Sequence, residues 1–175
     1  EVDRSQEFAL TVVWLREICA PRPTVHTFMH RSDANKLGGE FTPDGKQILF
    51  GSNRVADAEY QWRESDIYSV AVDSGVIKQL TTRKGPDGSP KVSPDGKRVA
   101  YVGYDASRNT WQDSKLYVMN IDGTNARMVS GEWDRSPQSL LWKPDGSGIY
   151  FTAQDQGSQN LYVLPMAGDR TDVVQ

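Results

Sequence analysis

The chain has 175 residues, of which 37% are hydrophobic and 25% charged, with a formal net charge of −3; these values describe one ordinary globular domain or a repeat array. That charge gives no electrostatic case for a nucleic acid or anionic lipid partner, and no apolar run approaches the roughly 18 residues of a membrane span. Cys19 is the only cysteine, which excludes an internal disulfide and a cysteine-based zinc site.

In chain order, the opening "EVDRSQEFAL" is acidic and lacks the basic stretch of a signal peptide. The compartment is therefore open between cytoplasm and periplasm. For residues 5 to 19 two structures remain open. Phe8, Val12, Leu15 and Cys19 recur at helical spacing, whereas the β-branched and aromatic "TVVWL" (11 to 15) favours a strand. "TVHTFM" (24 to 29) is expected to be a strand. Residues 1–37 are thus an atypical segment, at most the remnant of one structural unit. His26 and His30 are four apart, but "HTFMH" has no glutamate of the zinc-protease motif and no third ligand is evident. No metal and no cofactor are expected.

A repeat begins near residue 38. "FTPDGKQILF" (41 to 50), "VSPDGKRVAY" (92 to 101) and "WKPDGSGIYF" (142 to 151) share one pattern at a spacing of about fifty residues. An apolar residue (Phe41, Val92, Trp142) precedes a turn formed by Pro43, Asp44 and Gly45, by Pro94, Asp95 and Gly96, or by Pro144, Asp145 and Gly146. Proline pre-sets φ, aspartate bonds nearby backbone, and glycine accepts the positive φ that closes a short hairpin. An apolar pair at alternate positions follows (Ile48/Phe50, Val99/Tyr101, Ile149/Phe151), as in a strand. Two residues later stands a small residue (Ser52, Gly103, Ala153) that allows close backbone approach.

A second strand pattern then carries a central tyrosine (Tyr68, Tyr117, Tyr162), followed by a glycine-containing turn (Gly75, Gly123, Gly168). A last short strand ends on Leu80, Val129 or Val174, each twelve residues after its tyrosine. The linkers "NRVADAEYQWRES" and "YDASRNTWQD" are polar, hold Trp62 and Trp111, and are expected as insertions at one end of the sheets. Four short antiparallel strands repeated at this period are the signature of propeller blades. The expected fold is all-β, a partial β-propeller of about three four-stranded blades at 38–88, 89–138 and 139–175, with a possible half blade ahead of them. Blades stack face to face, so Trp142, Tyr101, Phe151 and the three tyrosines are expected in the core between them.

The chain carries no Gly-x-Ser-x-Gly elbow, and no histidine follows position 30. A serine hydrolase of the α/β type needs both, so no catalytic residue is assigned and the chain alone is not expected to be an enzyme. Most turn carboxylates (Asp44, Asp95, Asp145, Asp122) are explained by local hydrogen bonds. The most distinctive polar stretch, "TTRKGPDGSP" (81 to 90), joins one blade's last strand to the next blade's first. It is either a solvated connection or a rim contact for a charged peptide terminus, through Arg83, Lys84 and Asp87. Asp134 and Arg135 belong to the same class of rim contact.

The stretch "SDIYSVAVDSGVIKQLTTRKGPDGSPKVSPDGKRVAYVGYD" (65 to 105), with "KLYVMNIDGTNARMVSGEWDRSPQSLLWKPDGSGIYF" after it, resembles the β-propeller of the prolyl oligopeptidase family of serine peptidases. Within that family it is most similar to the acylaminoacyl-peptidase and dipeptidyl-aminopeptidase branch, and the resemblance spans residues 38 to 175. It implies a non-catalytic lid that screens substrates by size and helps hold a peptide's amino end, over a hydrolase domain outside this chain. The paired glutamates by which some members grip a free amino terminus have no adjacent Glu-Glu counterpart here. The Ser-Pro-Asp-Gly turn is shared with TolB-type propellers, so a stand-alone protein-binding module is the alternative. Expected partners are the hydrolase domain, peptides, or a second copy of the chain covering the terminal sheet faces.

Overall fold

The computed structural model describes residues 39–167 and 172–173, apart from 56, 57, 59, 62 and 110. The open segment 5 to 19, the strand expected at 24 to 29, His26, His30, Trp62, Gly168 and Val174 lie outside the described residues. Among the described residues the regular elements are all β-strands. The first sheet is β1 (Glu40–Phe41), β2 (Gln47–Ser52), β3 (Asp66–Ala71) and β4 (Ile77–Gln79). The second is β5 (Asp87–Val92), β6 (Arg98–Gly103), β7 (Lys115–Asn120) and β8 (Arg127–Met128). The third is β9 (Gln138–Trp142), β10 (Gly148–Asp155), β11 (Ser158–Pro165) and β12 (Asp172–Val173). In each sheet neighbours in sequence are neighbours in space and pair antiparallel. This is the partial β-propeller that the repeat implies.

Each Pro-Asp-Gly turn is closed by local bonds. Gly45, Gly96 and Gly146 hold φ of 71°, 71° and 69°, where a side chain is strained. In the first two turns a hydroxyl before the proline organises the loop. Thr42 Oγ1 donates to Asp44 at 2.6 Å, Ser93 Oγ donates to Asp95 at 2.5 Å, and each hydroxyl accepts a backbone N–H from the next strand. The third turn has Lys143 at that position, and Ser147 Oγ donates to Asp145 from the other side at 2.7 Å. These hydroxyl bonds, with the backbone N–H bonds beside them, hold all three carboxyls below the usual aspartate range.

The strand period decides which side chain meets which sheet. Ile48/Phe50, Val99/Tyr101 and Ile149/Phe151 share one face of their sheets, and the residues between them share the other. Leu49, Ile67 and Leu80 therefore pack against Val92, Val99, Tyr101 and Met119 at the joint of the first two sheets. Ala100, Leu116 and Val118 pack against Leu140, Trp142, Ile149, Phe151, Tyr162 and Leu164 at the joint of the second and third. Phe50, Tyr68 and Val70 form a third buried cluster on the face of the first sheet turned away from the second. On the corresponding far face of the third sheet, Leu141 is 63% and Leu161 45% exposed.

Polar cross-links reinforce the stacking. Trp142 Nε1 donates to the Lys91 carbonyl at 2.9 Å, and the Arg98 guanidinium lies 4.9 Å from the Trp142 ring while donating to the Gly146 carbonyl. Lys91 pairs with Glu40 at 2.8 Å, inner strand to inner strand. The innermost strands carry a feature that alternation alone does not announce. β5 is bulged at Ser89 and Pro90, β9 at Ser139 and Leu140, and Ser89 and Ser139 sit at φ of 53° and 52°. Pro90 lacks a backbone donor and so suits the unpaired position of a bulge.

The meander sorts the loops. The three Pro-Asp-Gly turns share one edge of the stack with the β3–β4 and β7–β8 turns. The opposite edge collects the linkers 53–65 and 104–114, the tight β10–β11 hairpin at Gln156 and Gly157, and the β4–β5 and β8–β9 connections. This second edge, the linker face, carries every candidate rim residue.

Candidate functional site

The β4–β5 connection brings Arg83 and Asp87 together. Asp87, the first residue of β5, is fully buried, and Arg83 Nη2 donates to its Oδ1. The other end of the guanidinium, Nη1, donates to Asp105 Oδ1 at 2.8 Å, and that carboxylate is largely exposed. Arg83 also lies 4.4 Å from the centre of the Tyr117 ring, close enough for a cation–π contact. Tyr117 stacks on Tyr101 with centroids 5.3 Å apart. Tyr101 is buried as expected from the sequence, whereas Tyr117 is half-buried, packed at the margin of the joint between the first two sheets with this arginine over its ring.

Room for the ion pair comes from Gly103. A Cβ built there would collide with Oδ1 of Asp87, the Arg83 guanidinium and the Pro86 carbonyl. The small residue that sequence reasoning reserved for backbone approach admits a carboxylate and its counter-charge. Asp87 is also fixed through its backbone, since its N–H donates to the Ser65 carbonyl at 2.7 Å and its carbonyl accepts from Ser65 Oγ. Burial pushes the Asp87 carboxyl up to about 6 despite the opposing Arg83 charge. Burial likewise raises the Tyr101 phenol well above its ordinary value. Lys84 has an exposed side chain, and its carbonyl accepts the Ala106 N–H at 2.9 Å.

The β8–β9 connection makes a related cluster. Arg135 pairs with Asp155 at 2.7 Å and with neighbouring Asp134, which is 79% exposed. Tyr162 donates to Asp155 Oδ2 at 3.3 Å. Trp133 lies edge-on to Phe151 and Tyr162, at 5.4 Å and 4.8 Å. The structure thus groups Arg83 with Asp87, groups Arg135 with Asp134, and leaves Lys84 at the surface.

Sequence reasoning passed over the acidic partners Asp105 and Asp155. Laying the units over one another gives the signal, because each aspartate stands four residues after the inner aromatic, Tyr101 or Phe151. It also passed over Thr81 and Ser130, one residue beyond Leu80 and Val129. Their hydroxyls accept the Ile67 and Leu116 N–H at 2.9 Å and 3.0 Å. Chemically, the site offers ionic cross-links, one buried carboxyl able to take up a proton near neutral pH, and exposed carboxylates beside half-buried arginines. The linkers on the same face carry exposed aromatics, with Tyr60 87% and Trp111 79% exposed.

Comparison with known proteins fits this architecture. The family model described as the TolB β-propeller domain (PD40) matches residues 53–175. Dipeptidyl-peptidase 5 of Arthroderma otae is 33% identical over 138 residues, covering 72% of this chain and 19% of that protein. Dipeptidyl-peptidase 5 of Trichophyton equinum is 31% identical over the same length and shares. This chain therefore spans about a fifth of the length of the curated relatives it matches. Among solved structures, TolB from Acinetobacter baumannii aligns with a TM-score of 0.58 and 25% identity, over 77% of this chain and 31% of that one. A Mycobacterium tuberculosis puromycin-hydrolyzing peptidase aligns at 0.60 and 21%, over 79% and 23%, a likeness of fold. With three four-stranded meanders stacked face to face and a family model spanning residues 53–175, this chain belongs to the TolB β-propeller domain family.

Proposed function

We propose that this chain serves as propeller blades of a serine peptidase related to dipeptidyl-peptidase 5, where its linker face gates substrate access and contacts the hydrolase domain. The observation that carries this is the 33% identity to dipeptidyl-peptidase 5 over 138 residues. The uneven linker face supports it. Long linkers bearing exposed Tyr60 and Trp111 join the two central strands of the first two sheets, whereas a tight hairpin joins those of the third. Exposed aromatics with polar tips are common at surfaces that meet another protein or a peptide. The chain has no Gly-x-Ser-x-Gly elbow and no histidine beyond position 30, so in this reading the catalytic groups belong to the hydrolase domain. The chain on its own is expected to hydrolyse neither esters nor amides.

The test uses the polypeptide that carries this chain. Shortening linker 104–114 to a tight hairpin is expected to raise turnover of longer peptides relative to dipeptidyl amides, with the short substrates little changed. An unchanged ratio would refute gating. Labelling of the same polypeptide by a serine-directed fluorophosphonate checks the peptidase assignment separately, and its absence would refute that assignment. The second reading, a TolB-like module that binds another protein, is favoured by the family match and by the A. baumannii TolB likeness.

A further inference from the structure

We propose that Asp87 and Arg83 form a proton-operated latch that holds the segment 104–114 of the linker face against the β4–β5 connection. The inference stands on this chain's own geometry and does not depend on the peptidase assignment.

Arg83 bridges a buried anchor and that segment by charge. One end of its guanidinium holds the fully buried Asp87, and the other holds exposed Asp105, at the start of the segment. Two backbone bonds run alongside, Tyr104 N–H to the Pro86 carbonyl at 3.3 Å and Ala106 N–H to the Lys84 carbonyl at 2.9 Å. Beyond these, the linker is tied to the first sheet's linker by a long bond from Arg63 to the Asn109 carbonyl, and its far end to the β8–β9 connection through Ser136, whose hydroxyl accepts the Ser114 N–H at 3.0 Å and donates to Asp113 at 3.2 Å.

The anchor is incompletely satisfied. Oδ2 of Asp87 and Nε of Arg83 are both buried with no hydrogen-bond partner in direct reach among the described residues, although the Thr81 hydroxyl lies near enough to favour the Asp87 carboxylate. The pair is therefore held by its opposite charges more than by a saturated hydrogen-bond network, and unmade bonds at buried groups are costly. Asp87 is surrounded as follows. From the first sheet and its linker, Asp66 and Glu64 face the cluster, with Asp66 bonded to Gln79 and Thr81 and Glu64 to the Gly85 N–H. From the connection comes Arg83, and from the second sheet come Tyr101, Tyr117 and, after β6, Asp105. Arg83 is the one cation among these groups.

When the Asp87 carboxylate takes a proton from solvent, Arg83 loses its inner counter-charge and keeps only the exposed one. A half-buried guanidinium in that state gains by moving outward to water. Its movement cuts Asp105 off from the buried anchor and loosens the parallel bonds at Tyr104 and Ala106. The raised carboxyl of Asp87, at about 6, places the change just below neutral pH. Proton uptake at Asp87 also relieves the burial of a charge, so global stability rises while the segment loosens. The two readouts move in opposite directions, which a purely structural ion pair does not predict.

The test measures hydrogen exchange of the Tyr104 and Ala106 amides by NMR at pH 7.5 and pH 5, corrected for intrinsic exchange. The chain carries His26→Gln and His30→Gln, because histidines titrate in the same range. Protection is expected to fall about tenfold at the lower pH, as in a local opening, while the melting temperature rises. Asp87→Asn is expected to show low protection at both pH values. If that variant does not fold, Asp105→Asn serves. It leaves the buried pair intact and cuts it from the segment, so protection is low throughout while the Gly103 amide still titrates near pH 6. Equal protection at both pH values in the starting chain would overturn the latch. So would an undiminished pH response in Asp87→Asn, or in Asp105→Asn.

Discussion

The joint between the first and second sheets and the joint between the second and third follow one plan but have different rims. In both, an arginine from the inter-sheet connection reaches an aspartate four residues beyond the inner aromatic, Arg83 to Asp105 and Arg135 to Asp155. In both, a hydroxyl after the outer strand, Thr81 or Ser130, accepts a backbone N–H of the third strand. At the first joint the small residue is Gly103, and the space admits the buried Asp87. At the second it is Ala153, fully buried itself, and Trp133 fills the rim edge-on to two rings. The cores differ as well, because Trp142 occupies the position that Val92 holds at the first joint. Three matched positions, Gly103 against Ala153, Arg83 against Trp133 and Asp87 against Pro137, separate a rim with a buried ion pair from one filled by an indole.

The largest blow to this comparison is Trp142→Ala, expected to cost about 3–5 kcal/mol, since the indole is buried and donates to Lys91 across the joint. Val92→Ala at the matching position is expected to cost about 2 kcal/mol, and Trp111→Ala, largely exposed, within about 0.5 kcal/mol. Urea unfolding monitored by far-UV circular dichroism measures all three. Similar losses at 142 and 111 would mean that the register assigned to the sheets is wrong.

Next comes the methyl group present at 153 and absent at 103. Gly103→Ala is expected to destabilise by about 2–3 kcal/mol through overpacking against Asp87 and Arg83. The reciprocal Ala153→Gly is expected to cost about 1 kcal/mol, through added chain entropy and a small void. The same unfolding measurement sharpens the comparison if the two losses differ in this order, and breaks it if they are equal.

The pH dependence has a smaller effect. The folded Asp87 carboxyl lies above its unfolded value, about 6 against 3.8. Between these values the folded state holds the extra proton, so stability falls as pH rises. The contribution is full below about pH 4 and is lost as pH passes through about 6. Thermal melts from pH 4.5 to 7.5 should show this slope and should lose it in Asp87→Asn. Arg135 with Asp155, at the second joint, has no buried carboxyl of this kind, so Asp155→Asn should leave the slope in place.

The smallest effects belong to the far face of the third sheet. Leu141→Ser and Leu161→Ser are expected to change stability by no more than about 0.5 kcal/mol, because both side chains are already exposed. A loss beyond 2 kcal/mol in either melt would show that this face is packed against something within the chain.

Much of the fold was legible because its signals are local. Gly45, Gly96 and Gly146 need positive φ wherever they occur, and Ile48/Phe50 and their counterparts must share a face once the backbone is extended. The shift of turn closure from Thr42 and Ser93 to Ser147 was less legible, since the hydroxyl comes from the other side of the aspartate. The bulges at Ser89 and Ser139 were not anticipated either. Their cause lies in the partner strand, which offers one residue against two. Of the candidate rim residues, the sequence singled out Arg83 and Asp87 by composition but left their state open between solvent and ligand.

By itself, then, the sequence determined that the chain would run as three meanders, with Trp142, Tyr101 and Phe151 turned toward neighbouring sheets. Turn dihedrals and strand alternation depend only on residues close in the chain, so a single repeat unit contains the information. The tertiary structure alone decided that Asp87 would be sealed beside Gly103, that Arg83 would span from it to Asp105, and that Trp133 would close the other rim. Those outcomes depend on how two sheets sit against each other, since a carboxylate is buried or solvated according to what packs above it from elsewhere in the chain.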